Sequence, residues 1–102
     1  MKKRDEIARV FKKGRRLGCP GLVLFFLDNG LPHNRIVVTF SKKFGNAVVR
    51  NRERRVSREA YRLMRPSLKT GYDLIFLVMS EKSTLESRTN QFKILFARAG
   101  LL

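Results

Sequence analysis

The period of the apolar residues changes several times along this chain, and each change marks an element. Ile7, Val10 and Phe11 recur at helical spacing among charged neighbours, so residues 3–13 predict an amphipathic helix that stops at Gly14. Residues 15–18 read as a short edge strand, and Pro20-Gly21 marks a turn. LVLFFLD, 22–28, is apolar on both faces of a strand and has to be covered on both sides, at least in part. NGLPHN is a loop, and the β-branched RIVVTF, 35–40, is a strand. Gly45 breaks the chain, and Asn46 can cap a helix that begins at Ala47. That helix runs to about residue 65, because Pro66 cannot continue it. YDLIFLVM, 72–79, is a further strand. Ser83 and Glu86 form an S-x-x-E capping pattern for a last helix, with Leu85, Phe92, Leu95, Phe96 and Ala99 on one side. The order α-β-β-β-α-β-α, with no repeat, linker or low-complexity tract, predicts an α+β fold: one sheet with helices packed on it, in a single domain over 1–102.

Composition narrows the class. A 102-residue chain that is 43% hydrophobic supports one modest core. Neither strong apolar run reaches the roughly 18 residues that cross a bilayer. The opening MKKRDEIARVFKKG is charged throughout, so secretion is not expected. Cys19 is the single cysteine, which suits a reducing cytoplasm and reads as a small packing residue.

Charge changes the picture most. Lys and Arg number 23 against 8 acids, for a net charge of +15, so the expected partner is a polyanion. KKFGNAVVRNRERRVSREAYR, 42–62, carries eight of those cations and only Glu53 and Glu59 against them. Like charges one turn apart on a helix repel, so the countercharge is expected from outside. On a helical wheel, Val49, Val56, Ala60 and Leu63 share a stripe beside Met64. Arg54 and Arg58 point the opposite way, with Asn51, Arg50, Arg55 and Arg62 along the same polar arc. Glu59 can pair with Arg55 or Arg62. A merely solvated face would mix in more Glu. Arginine instead grips phosphates with a planar fork and stacks on bases. The helix start at Gly45, Asn46 and Ala47 adds free N–H groups and a positive dipole end, and Lys42 and Lys43 precede it.

Protein-borne catalysis is poorly supported. His33 is the only histidine and lies in a loop without a carboxylate nearby, and the acids are scattered without metal-ligand spacing, so no metal site is expected in the protein. A strand rather than a partner helix follows the basic helix, which argues against a helix-turn-helix DNA reader. A membrane-surface role conflicts with the need for Val49, Val56 and Leu63 in the core.

The stretch SKKFGNAVVRNRERRVSREAYR resembles the signature of the bacterial ribonuclease P protein subunit, roughly S-K-K-x-G-N-A-V-x-R-N-R-x-K-R-x-x-R-E. Ser41, Lys42, Lys43, Gly45, Asn46, Ala47, Val48, Arg50, Asn51, Arg52, Arg55, Arg58 and Glu59 match it, with Arg54 in a Lys position. Phe11-Lys12-Lys13-Gly14, the strand LVLFFLD and the late GYDLI also fall where that family has them, so the likeness covers nearly the whole chain.

The resemblance implies an α/β sandwich with a mixed sheet and a left-handed βαβ crossover, against the usual hand, like that of the second domain of a ribosomal small-subunit protein. It implies the protein subunit of an endoribonuclease that removes the 5′ leader of precursor transfer RNA, with the chemistry carried by a catalytic RNA and Mg²⁺ held mainly by that RNA. One monomeric protein is expected per RNA. Lys42, Lys43, Asn46, Arg50, Asn51, Arg52, Arg54, Arg55, Arg58 and Arg62 are the expected RNA contacts. Ile7, Phe11, Lys12, Val23 and Phe25 are the expected lining of a cleft for the single-stranded leader, where aromatic platforms suit unpaired bases. Ile7 departs from the aromatic residue often found there, Phe25 stands where Tyr is common, and Glu53 replaces a usually aliphatic residue. The other reading is a structural RNA-binding protein of ribosomal type with no part in transfer RNA processing; charge and fold alone do not separate the two.

Overall fold

The computed structural model describes residues 4–42, 44–79 and 83–102. Three helices and four strands follow in the order α1 (Arg4–Lys13), β1 (Arg15–Cys19), β2 (Leu22–Asp28), β3 (Arg35–Phe40), α2 (Ala47–Met64), β4 (Tyr72–Val78) and α3 (Leu85–Ala99), with a 3₁₀ turn at Arg65–Ser67 after α2. The sheet runs β1-β2-β4-β3. β2 pairs antiparallel with β1 on one side and with β4 on the other, and β3 lies parallel to β4. Parallel neighbours need a crossover, and α2 provides it, so the arginine-rich helix is the middle of the βαβ unit.

Alternation along β2 divides the core. Leu22, Leu24 and Phe26 join Leu74, Phe76 and Val78 of β4 in a cluster with Ala60, Met64, Phe92, Leu95 and Phe96 from α2 and α3. Phe76 stacks on Phe92 with ring centroids 4.4 Å apart. Val23, Phe25 and Leu27 point to the other face, which α1 covers in part with its fully buried Val10. This one-helix cover is why β2 is apolar on both sides.

The ends of α1 are set by charge and by a glycine. Asp5 and Glu6 lie in its first turn and Lys12 and Lys13 in its last, as the helix dipole favours. The Gly14 N–H donates to the Val10 carbonyl at 2.8 Å, and a side chain on Gly14 would meet the Phe26 carbonyl oxygen at 2.8 Å. Only glycine lets the helix end so close to β2. At the other end of the chain Gly100, with φ of 76°, closes α3, and the Leu101 N–H returns to the Phe96 carbonyl at 2.9 Å.

Two expectations shift. The residues that α2 buries are Glu53, Ser57, Ala60 and Met64, whereas Leu63 is 52% exposed. The helix is therefore turned about its axis relative to its own apolar stripe. The cause is Arg88 of α3, fully buried, which donates to Ser57 Oγ at 2.8 Å and lies 3.5 Å from Glu53 Oε2. A polar seam between α2 and α3 takes the place that apolar residues would have filled. The second shift follows from the same seam. The cap of α3 is Thr84 with Ser87, not Ser83 with Glu86, because Ser83 is buried and its N–H donates to Glu53 Oε1 at 3.0 Å.

Candidate nucleic-acid interface

α2 begins as its sequence predicts. The Asn46 side chain accepts from the Val49 N–H at 3.0 Å and caps the helix. α1 and α3 carry acids in their first turns, but α2 has none, so its positive end is left uncompensated. Lys42 and Asn46 are exposed beside that end, and Lys43 lies outside the described residues.

The arginines of α2 fall into three groups. Arg55, Arg58 and Arg62 are exposed and, with Asn51, Arg54 and Glu59, line a shallow groove of about 440 Å³. Glu59 pairs with Arg62, three residues on, and the hydrogen bonds from that guanidinium hold its carboxyl below the usual value. No acidic partner is found for Arg55 or Arg58 among the described residues. Arg50 and Arg54 lean towards β3, their guanidinium groups 6.0 and 5.1 Å from the centre of the Phe40 ring. Arg50 Nε also donates to the Phe44 carbonyl at 3.0 Å, and Arg54 Nη1 to Asn51 Oδ1 at 3.1 Å. Arg54 is therefore at the β3 edge of the basic face rather than at its centre, a consequence of the rotation imposed by the Arg88 seam. Arg52 goes the other way. Its Nη2 donates to the Ser83 carbonyl at 2.7 Å and its Nη1 lies 3.2 Å from Glu53 Oε1, so this half-exposed guanidinium is tied to the residue before the α3 cap and to the buried seam.

On the opposite face of the sheet, α1 packs on β2 and brings Phe11 to Phe25, which shares its strand face with Val23. Phe11 is 43% exposed and meets Phe25 edge to face, with centroids 4.8 Å apart at 71°. The rings touch instead of facing each other across a gap, so they form one aromatic wall. Val23 is buried beneath that wall, Ile7 is half-buried, and Lys12 is exposed. Arg16, which sequence reading did not single out, holds its guanidinium 5.9 Å from the centre of the Phe25 ring. The signal for it was the pairing of β1 with β2, which sets Arg16 opposite Phe25.

The first turn of α1 is tied to the sheet by charge. Arg35 of β3 forks onto Asp73 of β4, with Nε and Nη2 at 2.7 and 2.8 Å from its two oxygens, and its Nη1 reaches Glu6 at 3.2 Å. Asn29 donates to the same Asp73 at 3.0 Å. Burial alone would raise the Asp73 carboxyl, but the hydrogen bonds from Arg35 and Asn29 and the charge of Arg35 outweigh it and hold the group below its usual value. The aromatic wall thus rests on a helix pinned at both ends, by Glu6 and by Gly14.

His33 is exposed in the β2–β3 loop, where its carbonyl accepts from Asn29. Among the described residues, no three His, Cys, Asp or Glu side chains come together in a way that could hold a metal ion.

A mixed four-stranded sheet with three helices and an arginine-rich crossover helix defines an α/β sandwich, and that sandwich has close counterparts. A family model described as Ribonuclease P matches residues 1–100. The ribonuclease P protein component of Natranaerobius thermophilus is 42% identical over 86 residues, covering 84% of this chain and 75% of its own length. That of Clostridioides difficile is 35% identical over 104 residues, covering 99% and 91%. A solved structure of a Staphylococcus aureus ribonuclease P protein mutant with defective mRNA degradation activity superposes with a TM-score of 0.85, covers 100% of this chain and 88% of its own, and is 25% identical. The chain belongs to the ribonuclease P protein component family. The family name implies part of a transfer-RNA-processing endoribonuclease and an RNA partner.

Proposed function

We propose that this chain docks on the catalytic RNA of ribonuclease P through the outward face of α2 and presents the Phe11–Phe25 wall to the 5′ leader of precursor transfer RNA. The observation that carries the reading is the face of Arg55, Arg58 and Arg62, which has one acid, Glu59, among its lining residues and sits on a helix with an uncompensated positive end. Such a face meets phosphate oxygens with paired guanidinium donors and releases their counterions. Lys42, Asn46, Arg50, Asn51 and Arg54 extend it, with Arg50 and Arg54 steadied over Phe40.

The leader surface works by stacking. Phe11 offers a ring that is still exposed, and Phe25 supports it edge-on. Unpaired bases stack on such rings whatever their identity. Lys12 and Arg16 flank the wall and suit the leader's phosphates.

Bond cleavage is assigned to the RNA subunit, with Mg²⁺ held mainly by RNA, and the isolated protein is inactive. The protein acts by holding the leader and the catalytic RNA in one geometry, which lowers the cost of assembling the reactive complex. It works in the cytoplasm, one protein to one RNA. Identification of the RNA that co-purifies with the protein from its host tests this reading. One long catalytic RNA is the expected result, and ribosomal RNA in its place would favour a purely structural role.

A further inference from the structure

On the α2 side of the sheet, away from the aromatic wall, Pro32, His33, Ile36, Tyr61, Arg65 and Thr70 line a cavity of about 330 Å³, the lower end of the ~300–1,000 Å³ seen for small-ligand sites. Its walls are braced. Asn34 Nδ2 donates to the Lys69 carbonyl and Asn34 Oδ1 accepts from the Tyr72 N–H, both at 2.9 Å, which stitches the β2–β3 loop to the approach to β4. Asn29 adds two more ties, donating to the His33 carbonyl at 3.2 Å and accepting from the Leu31 N–H at 2.8 Å. A cavity fixed in advance loses little freedom when it binds.

The lining has the parts that a nucleotide needs. Tyr61 packs against the core cluster yet stays half-exposed and lines the cavity. Arg65 follows one turn later and is exposed. Helical spacing strings Arg50, Arg54, Arg58, Tyr61 and Arg65 into one strip, which starts over Phe40 and ends at the cavity. An RNA strand that follows the cations of this strip arrives at a ring and a guanidinium set side by side.

We propose that the cavity takes one unpaired nucleotide of the RNA bound along α2. The base stacks on the Tyr61 ring, Arg65 holds the adjoining phosphate, and His33 and Thr70 offer polar groups to the base edge. This inference rests on the reading of α2 as the RNA-binding face. It gives a role to Tyr61, Arg65 and His33, which that reading leaves unused.

The test measures binding of the ribonuclease P RNA and maps each nucleotide with a reagent that acylates flexible 2′-hydroxyls. Wild type is compared with Tyr61→Leu, Thr70→Trp, Arg65→Ser and Arg58→Ser. Thr70→Trp plugs the cavity from its exposed rim and leaves the core alone, so it decides the matter if Tyr61→Leu lowers the melting temperature. Tyr61→Leu and Thr70→Trp should each weaken binding roughly 5- to 150-fold and uncover the same single nucleotide. Wild-type affinity in Thr70→Trp, or a loss that uncovers no nucleotide, overturns the proposal. A loss confined to Arg65→Ser also overturns it, since that is a phosphate contact without a base. If Arg58→Ser alone weakens binding, the cavity proposal fails and the α2 face stands; if no variant does, both fail.

Discussion

Glu53 of α2 and Arg88 of α3 are both fully buried, with Glu53 Oε2 and Arg88 Nη2 3.5 Å apart. Ser83 and Ser57 complete the cluster, while Arg88 Nε finds no hydrogen-bond partner among the described residues. Burial lowers the Arg88 pKa, and the charge of Glu53 acts against that fall. Each residue makes the other tolerable inside the protein.

Removing either partner alone should therefore be severe. Glu53→Leu leaves a buried guanidinium and Arg88→Leu a buried carboxylate, and each should cost about 3–5 kcal/mol. The double variant Glu53→Leu/Arg88→Leu removes both charges and should recover most of that loss. Urea unfolding of the four proteins measures the coupling. Additive losses in the double variant would mean that the two charges do not depend on each other.

Arg52, the last residue of the R-N-R stretch, and Arg55, three residues on, should separate. Arg55 has no acidic partner among the described residues, so Arg55→Ala should lower the salt slope of RNA binding by ~1 and leave the melting temperature alone. Arg52 is bonded to the Ser83 carbonyl, so Arg52→Ala should lower the melting temperature as well. Identical thermal behaviour in the two variants would remove the structural role given to Arg52.

Acid should act through Asp73. Its folded-state pKa lies below the usual value, so the folded protein binds this proton less readily than the unfolded chain does. The stability it contributes is full above the ordinary value of about 3.9 and is lost as pH falls through the lower folded value. Asp73→Asn should thus be less stable than wild type at neutral pH, with the gap closing below about pH 4. A gap in urea midpoint that stays constant from neutral pH to pH 3 would show that the Arg35–Asp73 fork carries no such linkage.

The strands 22–28 and 35–40 were legible residue for residue, because β-branched and aromatic runs end at strong turn signals. The Asn46 cap was legible for the same reason, being local. The α2–α3 seam was not. Glu53 and Ser57 are polar, and their partner Arg88 lies more than thirty residues further on, so no helical wheel could bring them inside. That one long-range contact accounts for the exposed Leu63, for the place of Arg54 at the edge of the basic face and for the shift of the α3 cap to Thr84. The family resemblance implied that Phe11 and Phe25 line one cleft, but whether the two rings touch depends on how close α1 packs, which Gly14 allows.

The ring contact changes what aromatic variants should do. Phe11→Ala and Phe25→Ala should each weaken binding of precursor transfer RNA by ~1–3 kcal/mol and hardly affect mature transfer RNA, which lacks the leader. Because Phe25 supports Phe11 edge-on, the double variant should lose less than the sum of the two. Phe11, 43% exposed, should also change the melting temperature less than Phe25. Equal losses for precursor and mature transfer RNA would take the leader off this wall.

On the proposed function, this protein enables an RNA to do the chemistry. Cleavage of precursor transfer RNA at low Mg²⁺ tests it most directly, with the catalytic RNA alone, the protein alone and the two together. Efficient release of the leader is expected only from the mixture, and none from the protein at any Mg²⁺ concentration. Cleavage by repurified, RNA-free protein, or a mixture no faster than RNA alone, would contradict it.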